Sequence, residues 1–427
     1  MGKNSHKPLV KNREIKRVSI KRDMSLKKML NNYNKPITLK FIGIIAIFIF
    51  LIIHINPDVS SNIIMYYLPY YICCLILIIN IISKKKVINS YIKWRIIFVF
   101  ICAISYFFIS GKGIDSKIYF KIVVLQSIPL ILISTLANNK KDIYIIMKIY
   151  IIAILINCIY IHINYGYVFK LGYRLGQGGE EFNANAVGIN VVAALIYIYI
   201  LICNKQIKYK SLSIIYVAYL IFFVLTSGSR TTLLMLLIGI FLCYLFKGDK
   251  HYIIKMLFGI VCVLMMIYFM VNIPFLYNEI GFRIQNMFNF VRDINTTNTD
   301  SSMKWRYEMI IFGIEMVRNK FMIGHGINTY RTYFGNYTGY YTYSHNTYIE
   351  ILFSFGLLGF IQYFWIYFKN IKNYKNKVLK KQSISITLIT LIISFSSMGY
   401  ISISQQIMIC LAATEIEKFN YDNIECK

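Results

Sequence analysis

Residues 211–246 read SLSIIYVAYLIFFVLTSGSRTTLLMLLIGIFLCYLF and hold one charge, Arg230. As a single straight helix the stretch would run about 54 Å, against about 30 Å for the hydrocarbon core of a bilayer. It therefore reads as two membrane spans, 211–227 and 231–246, joined at Thr226-Ser227-Gly228-Ser229. The glycine permits a tight turn, and the hydroxyls suit the cap of the helix that follows. Arg230 then falls on the first turn of the second span, near the lipid headgroup boundary. An arginine there costs less than the about 2.5–3.5 kcal/mol of mid-membrane depth. Taken alone, it is either a snorkelling interfacial cation or a site for an anion at the membrane surface.

The same apolar pattern recurs on both sides, at 37–55, 62–82, 96–110, 118–136, 143–163, 186–203, 252–273, 347–368 and 383–398, with a shorter twelfth run at 403–416. The chain of 427 residues is 57% hydrophobic and 15% charged, with a mean hydropathy of +0.55. Soluble domains are roughly 45–50% apolar. The expected fold is all-α, a polytopic integral membrane protein with 11–12 transmembrane helices and one large extracytoplasmic loop. The expected organisation is a basic cytoplasmic tail (1–36), a membrane domain (37–416) and a C-terminal tail (417–427). The first apolar run follows the basic tail without a small-residue cleavage site, so it reads as a first span rather than a signal peptide.

A net charge of +29 and a pI near 9.6 would ordinarily suggest nucleic acid. Their distribution says otherwise. Segments 1–40, 83–95, 137–148, 203–210, 247–255 and 369–381 hold 32 Lys and Arg, whereas the short segments alternating with them hold 6. Such asymmetry marks the cytoplasmic side of a membrane protein. It predicts a membrane protein with a cytoplasmic N-terminus and residues 274–346 on the outer face, and no nucleic-acid partner. Of nine cysteines, eight lie in or at the ends of apolar runs and no CxxC occurs. They read as small hydrophobes, with no metal site and no cofactor.

The outer segments hold the remaining chemistry. Residues 303–321 place apolar side chains at 303, 307, 310, 311, 314, 317 and 321, the spacing of a helix with one apolar face. Gly324-His325-Gly326 ends it. Arg283, Arg306 and Arg331 are outer cations, each either a plain surface charge or a phosphate partner. A tyrosine-rich run that includes Tyr341 and Tyr343 suits either sugar stacking or an interfacial aromatic belt. Ser344-His345-Asn346 opens the next span. A histidine there is either a cap or, held neutral by the helix dipole, a proton acceptor near pH 7. Gly356 and Gly359 suggest close helix packing. In the loop 172–188, GYRLGQGGEEFNANAVG, the paired Glu180 and Glu181 are solvated carboxylates or groups that bind hydroxyls.

Ser229-Arg230 at a span start, an arginine-bearing helix leading into GHGINTY (324–330), SHNTYIEILFSFGLLGF (344–360) and FNANAVG (182–188) occur here in one order. This combination resembles the bacterial O-antigen ligase and O-antigen polymerase family over about residues 170–370. The resemblance implies metal-independent glycosyl transfer at the outer leaflet. The donor would be an oligosaccharide on undecaprenyl diphosphate. The acceptor would be another lipid-linked repeat unit in a polymerase, or a lipid A core sugar in a ligase. A flippase and a chain-length regulator of the same pathway would be partners, alongside the lipid bilayer. By the same resemblance, Arg230 and Arg306 bind the diphosphate, with Arg283 the rival to Arg306. His345 orients or deprotonates the acceptor hydroxyl, and Tyr341, Tyr343, Asn346, Glu180, Glu181 and His325 are candidate sugar or acceptor contacts. Ala184 stands where the family commonly has proline. Repeat-unit polymerisation is the favoured expectation, ligation the alternative. A lipid-linked glycan transporter would show ionisable residues within its spans and inverted repeats; here mid-span charges are nearly absent and no repeat is evident.

Overall fold

The computed structural model describes residues 37–55, 63–83, 88–109, 113, 115–165, 183–207, 210–227, 229–245, 252–274, 301–372 and 380–422, with isolated positions between 277 and 289. Residues 1–36, Glu180, Glu181 and Arg283 lie outside these, as does the side chain of Arg230. Among the described residues every regular element is helical. The apolar helices are α1 (Ile37–Ile55), α2 (Ile63–Ser83), α3 (Ser90–Ile104, continued by a π-helical turn Ser105–Ile109), α4 (Ser116–Leu136), α5 (Lys140–Tyr165), α6 (Ala184–Cys203), α7 (Lys210–Thr226), α8 (Arg230–Leu245) and α9 (Tyr252–Asn272). Two loop helices follow, α10 (Ser301–Val317) and α11 (Tyr330–Thr338), and then α12 (Thr347–Lys372), α13 (Lys380–Ile393) and α14 (Ile403–Asp422). Six of these, α2 to α6 and α12, are long and apolar enough to cross a bilayer, and six more are shorter apolar helices.

Burial is reversed from that of a soluble protein. Phe108, Ile82, Ile64 and Phe368 are 84%, 81%, 77% and 67% exposed. Ser383, Thr387, Thr390, Ser394, Ser404, Gln405 and Gln406 are fully buried. A water-soluble chain would pay heavily to expose so much apolar surface, whereas lipid solvates it. The buried hydroxyls are satisfied locally. Thr387 donates to the Ser383 carbonyl at 2.7 Å and Ser394 to that of Thr390 at 2.8 Å. The chain is thus an all-α polytopic membrane protein.

Successive helices alternate in direction. Lys40 near the start of α1 pairs with Asp142 at the start of α5. Asn89, which caps α3, donates to Ser134 near the end of α4, and Ser134 lies 3.1 Å from Thr414 of α14. These contacts gather one end of the bundle. The other end carries α10 and α11 and is called here the loop face. The shortest predicted span turns out to be the centre of the molecule: α14 packs against α3, α4, α5, α6, α12 and α13, and every residue from Gln405 to Ala412 is at most 1% exposed.

The structure corrects one expectation and refines two. The span read as 96–110 starts at Ser90, so Arg95, counted among the loop cations, lies inside α3 and is fully buried. Neutral groups hold it: Ser127 Oγ at 2.8 Å, Gln406 Oε1 at 2.9 Å and the Val123 carbonyl at 3.2 Å. Charge in the sequence hid a helical turn that the polar interior of the bundle accommodates. The apolar face predicted for α10 packs only in part. Val317 and Ile310 of that face join Met309 and Phe312 against α11 and α12, while Tyr307, Ile311 and Ile314 face outward. The helix is apolar on two sides, so periodicity alone does not select the packed one. The twelfth span is present as an apolar helix at Ile403–Thr414, within an α14 that runs on to Asp422.

A kink shapes the loop face. Gly356 interrupts α12 with φ +63°, and the turn at Phe321–Gly326 fills the gap. His325 N–H donates to the Phe353 carbonyl at 2.8 Å and Gly326 N–H to that of Ser354 at 3.0 Å. In return, Leu357 N–H donates to the Phe321 carbonyl at 2.8 Å. Backbone groups freed by the kink are thereby satisfied, as a buried helix break requires. A Cβ on Gly324 would lie 2.6 Å from the Gly356 nitrogen, so neither glycine tolerates a side chain.

Candidate functional site

The FNANAVG segment organises the site. Asn183 caps α6, its Oδ1 accepting from Asn185 N–H at 3.0 Å and Ala186 N–H at 3.4 Å. Its amide donates to the Tyr343 hydroxyl at 3.3 Å. Two residues on, Asn185 Oδ1 accepts the Ser229 hydroxyl at 2.6 Å. Ser229 in turn accepts from the Thr232 N–H and hydroxyl at 3.3 and 2.7 Å, which caps the helix that begins at Arg230. Gly188 allows this approach, since a Cβ there would sit 2.1 Å from Thr232 Oγ1. One turn of α6 therefore holds the start of α8 with one asparagine and the tyrosine beside His345 with another.

His345 adopts a left-handed conformation, φ +51°, just before α12. Its ring lies 4.0 Å from that of Tyr343. Its neighbours are fixed and buried. Ser344 N–H donates to Glu350 Oε2 at 3.1 Å, and Ser344 Oγ to the Asn346 carbonyl at 2.9 Å. Asn346 Oδ1 accepts from Tyr348 and Ile349 N–H at 2.9 and 3.2 Å, and Thr347 N–H donates to the Ser394 carbonyl at 2.8 Å. Ser344, Asn346 and Thr347 are 2%, 7% and 0% exposed, whereas His345 remains half-buried. A non-glycine residue in this region costs about 1–3 kcal/mol, a strain that concentrates at functional sites.

Arg306 of α10 lies within electrostatic reach of Tyr343. Burial pushes the Tyr343 phenol above its ordinary range, while the Asn183 hydrogen bond and the Arg306 charge pull it back. Arg331 does not join it. It forms an ion pair with Asp115 at 2.5 Å and donates to the Tyr341 carbonyl at 3.2 Å, pinning α11 to the start of α4.

Among the other predicted contacts, Asn346 spends its side-chain oxygen on the cap of α12. Tyr341 packs over Gly335 and donates to Asn336 at 3.1 Å, within the loop hairpin. His325 is 4% exposed, its Nε2 lies 2.9 Å from the Met316 carbonyl, and its ring stacks on Phe353 at 4.6 Å. Each of the three thus makes a structural contact, and Tyr341 stays 45% exposed.

Sequence reading missed Glu350, fully buried under the His345 turn. It also missed the cavity beside Tyr343. That cavity, of about 360 Å³, is lined by His54 of α1, Gln126 of α4, Asn183, Asn185 and Asn190 of the α6 segment, and residues 396–398 and 401–403. The available signal was a lone polar residue inside an apolar run, which is a functional candidate in any membrane span.

Residues 215–364 match the O-antigen ligase family. The match spans Arg230, Arg306 and His345, and it supports the resemblance to O-antigen ligases and polymerases read from the motifs. The α6 segment and most of the cavity lie before it. A comparison with curated proteins gives no match. The family implies glycan transfer of the ligase or polymerase type, with lipid-linked glycan substrates, in a membrane.

Proposed function

We propose that the chain polymerises polysaccharide repeat units at the outer face of a bacterial plasma membrane, transferring a glycan from undecaprenyl diphosphate to a second, lipid-linked glycan. The observation that carries this reading is the α6 bridge: Asn185 to Ser229, beside Arg230, and Asn183 to Tyr343, beside His345. It ties both the helix start that carries Arg230 and the turn that carries His345 to one segment, whose Asn183 and Asn185 line a cavity. The lysine-rich end of the bundle is cytoplasmic on the positive-inside rule, which puts the loop face outside.

In this scheme a hydroxyl oxygen of the acceptor attacks the anomeric carbon of the donor. The bond from that carbon to the diphosphate oxygen breaks, and the diphosphate leaves with the electron pair. The hydroxyl proton passes to the His345 imidazole. Arg306 and Arg230, with Arg283 as the rival cation, meet the charge that develops on the diphosphate. Guanidinium forks match phosphate oxygens and stay charged at any relevant pH.

The test is product analysis in cells. His345→Ala and Arg306→Ala should each leave the protein in the membrane, abolish polymer and retain lipid-linked single repeat units. Full-length polysaccharide from both variants would overturn the reading. Transfer to a lipid A core, which the matched family's name favours, would instead leave finished polymer on its carrier lipid. A transporter would leave single units on the inner leaflet.

A further inference from the structure

The cavity beside Tyr343 differs in character from the arginine-bearing rim. Among its described lining residues none is Lys, Arg, Asp or Glu. Its polar groups are amides, hydroxyls and one imidazole, set between isoleucines and the rings of Tyr66 and Tyr343. Two of those polar groups have an atom without a partner. Gln126 is 5% exposed, its Nε2 donates to the Ile401 carbonyl at 3.0 Å, and its Oε1 is buried with no hydrogen bond. His54 Nδ1 lies 3.1 Å from the Phe50 carbonyl, and its buried Nε2 likewise has no hydrogen bond. An unpaired buried acceptor costs about 1–3 kcal/mol, and these two belong to residues that line an open cavity, where a ligand would complete them.

The described lining offers no charge to compensate a diphosphate or a carboxylate. Amides and hydroxyls beside aromatic faces instead suit an uncharged sugar, whose hydroxyls donate and accept and whose C–H faces pack on rings. The volume lies within the about 300–1,000 Å³ of small-molecule sites. The cavity also touches both halves of the machinery, through Tyr343 to His345 and through Asn185 to Ser229. We propose that the cavity is the acceptor subsite and that it binds an uncharged terminal sugar of the acceptor glycan, with Gln126 as a specificity-determining residue. This rests on the glycosyl-transfer reading and divides the labour by charge: arginines for the diphosphate, neutral groups for the sugar that attacks.

The experiment uses the full chain in nanodiscs with Ala186→Cys, an exposed position on the cavity wall, and follows its modification by a small uncharged maleimide against the unsubstituted chain. The first probe is the oligosaccharide released by mild acid from the lipid-linked glycan that accumulates in cells carrying His345→Ala. The second is undecaprenyl diphosphate without sugar. The oligosaccharide should slow modification about tenfold near saturation, and Gln126→Leu should raise the half-protecting concentration about tenfold. Sugar analysis should show an uncharged residue at its non-reducing end. No protection by the oligosaccharide, equal protection by the bare carrier lipid, an unchanged half-protecting concentration in Gln126→Leu, or an acidic terminal residue would each overturn the proposal. If His345→Ala accumulates no lipid-linked glycan, the glycosyl-transfer reading itself fails, separately from the subsite.

Discussion

Two histidine-centred turns pack on helix α12, and they differ in what surrounds the ring. In the turn at 324–326, glycines on both sides take the positive φ values, and His325 itself is sealed between Phe353 and the Met316 carbonyl. In the turn at 344–346 the histidine takes the positive φ, while its neighbours are sealed and its ring stays half-buried beside Tyr343. The first turn uses a histidine to close a kink. The second fixes the residues on either side of a histidine and leaves its ring partly exposed beside Tyr343, which lines the cavity. The lesson is that residue type and helix-end position do not assign a role; the side that absorbs the strain does.

The largest effect that would break this contrast is on turnover. A positioned proton acceptor contributes about 10²–10⁴-fold. His345→Ala should lower polymer formation by that much without moving the thermal midpoint, measured on purified protein in nanodiscs. His325→Ala should do the reverse, lowering the midpoint with turnover per folded molecule nearly intact. Equal loss of turnover in both variants would erase the distinction.

Next in size is the kink. Gly356→Ala introduces a Cβ 2.4 Å from the Met322 backbone at a position with φ +63°. Strain of about 1–3 kcal/mol adds to the steric clash. A marked drop in thermal midpoint is expected, together with faster proteolysis of the loop 321–326. Gly339→Ala is the control, because nothing lies within 4 Å of that Cβ. If both variants melt alike, the interlock between the Gly324 turn and α12 carries no stability.

These contrasts also show what the sequence held. Arg230, His345 and the alternation of lysine-rich and lysine-poor segments were legible because charge is rare in apolar runs and its physical meaning there is local. The role of FNANAVG was not, since Asn185 meets Ser229 across 44 residues and Asn183 meets Tyr343 across 160. Central α14 was hard to read because its buried start is polar: Gln405 and Gln406 lower its hydropathy, Gln405 donating to Ser397, and Gln406 donating to the Gly399 carbonyl and accepting from Arg95. In a membrane, the most buried helix need not be the most apolar one.

A smaller effect concerns Glu350, which accepts the Ser344 N–H directly behind His345. Removing that acceptor leaves a buried donor unsatisfied, at about 1–3 kcal/mol. Glu350→Leu should lower kcat at least tenfold with little change in KM, and Glu350→Gln, which keeps a carbonyl oxygen, should restore most of it. Equal loss in both would make Glu350 a proton carrier instead of a positioning residue.

The smallest effect is in pH dependence. Burial lowers the pKa of His325 below its ordinary value, and its Nδ1 is buried without a hydrogen bond. Protonation would therefore put a new donor where no acceptor waits. Below the unfolded value of about 6.5, the unfolded chain binds the proton that the folded chain refuses, so stability falls as pH drops. The stabilisation is fully present above pH 6.5 and is lost towards and below the folded pKa. Thermal midpoints taken from pH 7.5 to 5 should decline more steeply for the wild type than for His325→Phe, which keeps the ring stacked on Phe353 but cannot titrate. His345 is present in both proteins, so its titration cancels in the comparison. Parallel curves would mean that His325 binds its proton without cost in the folded state, and the two turns would then differ less than their geometry states.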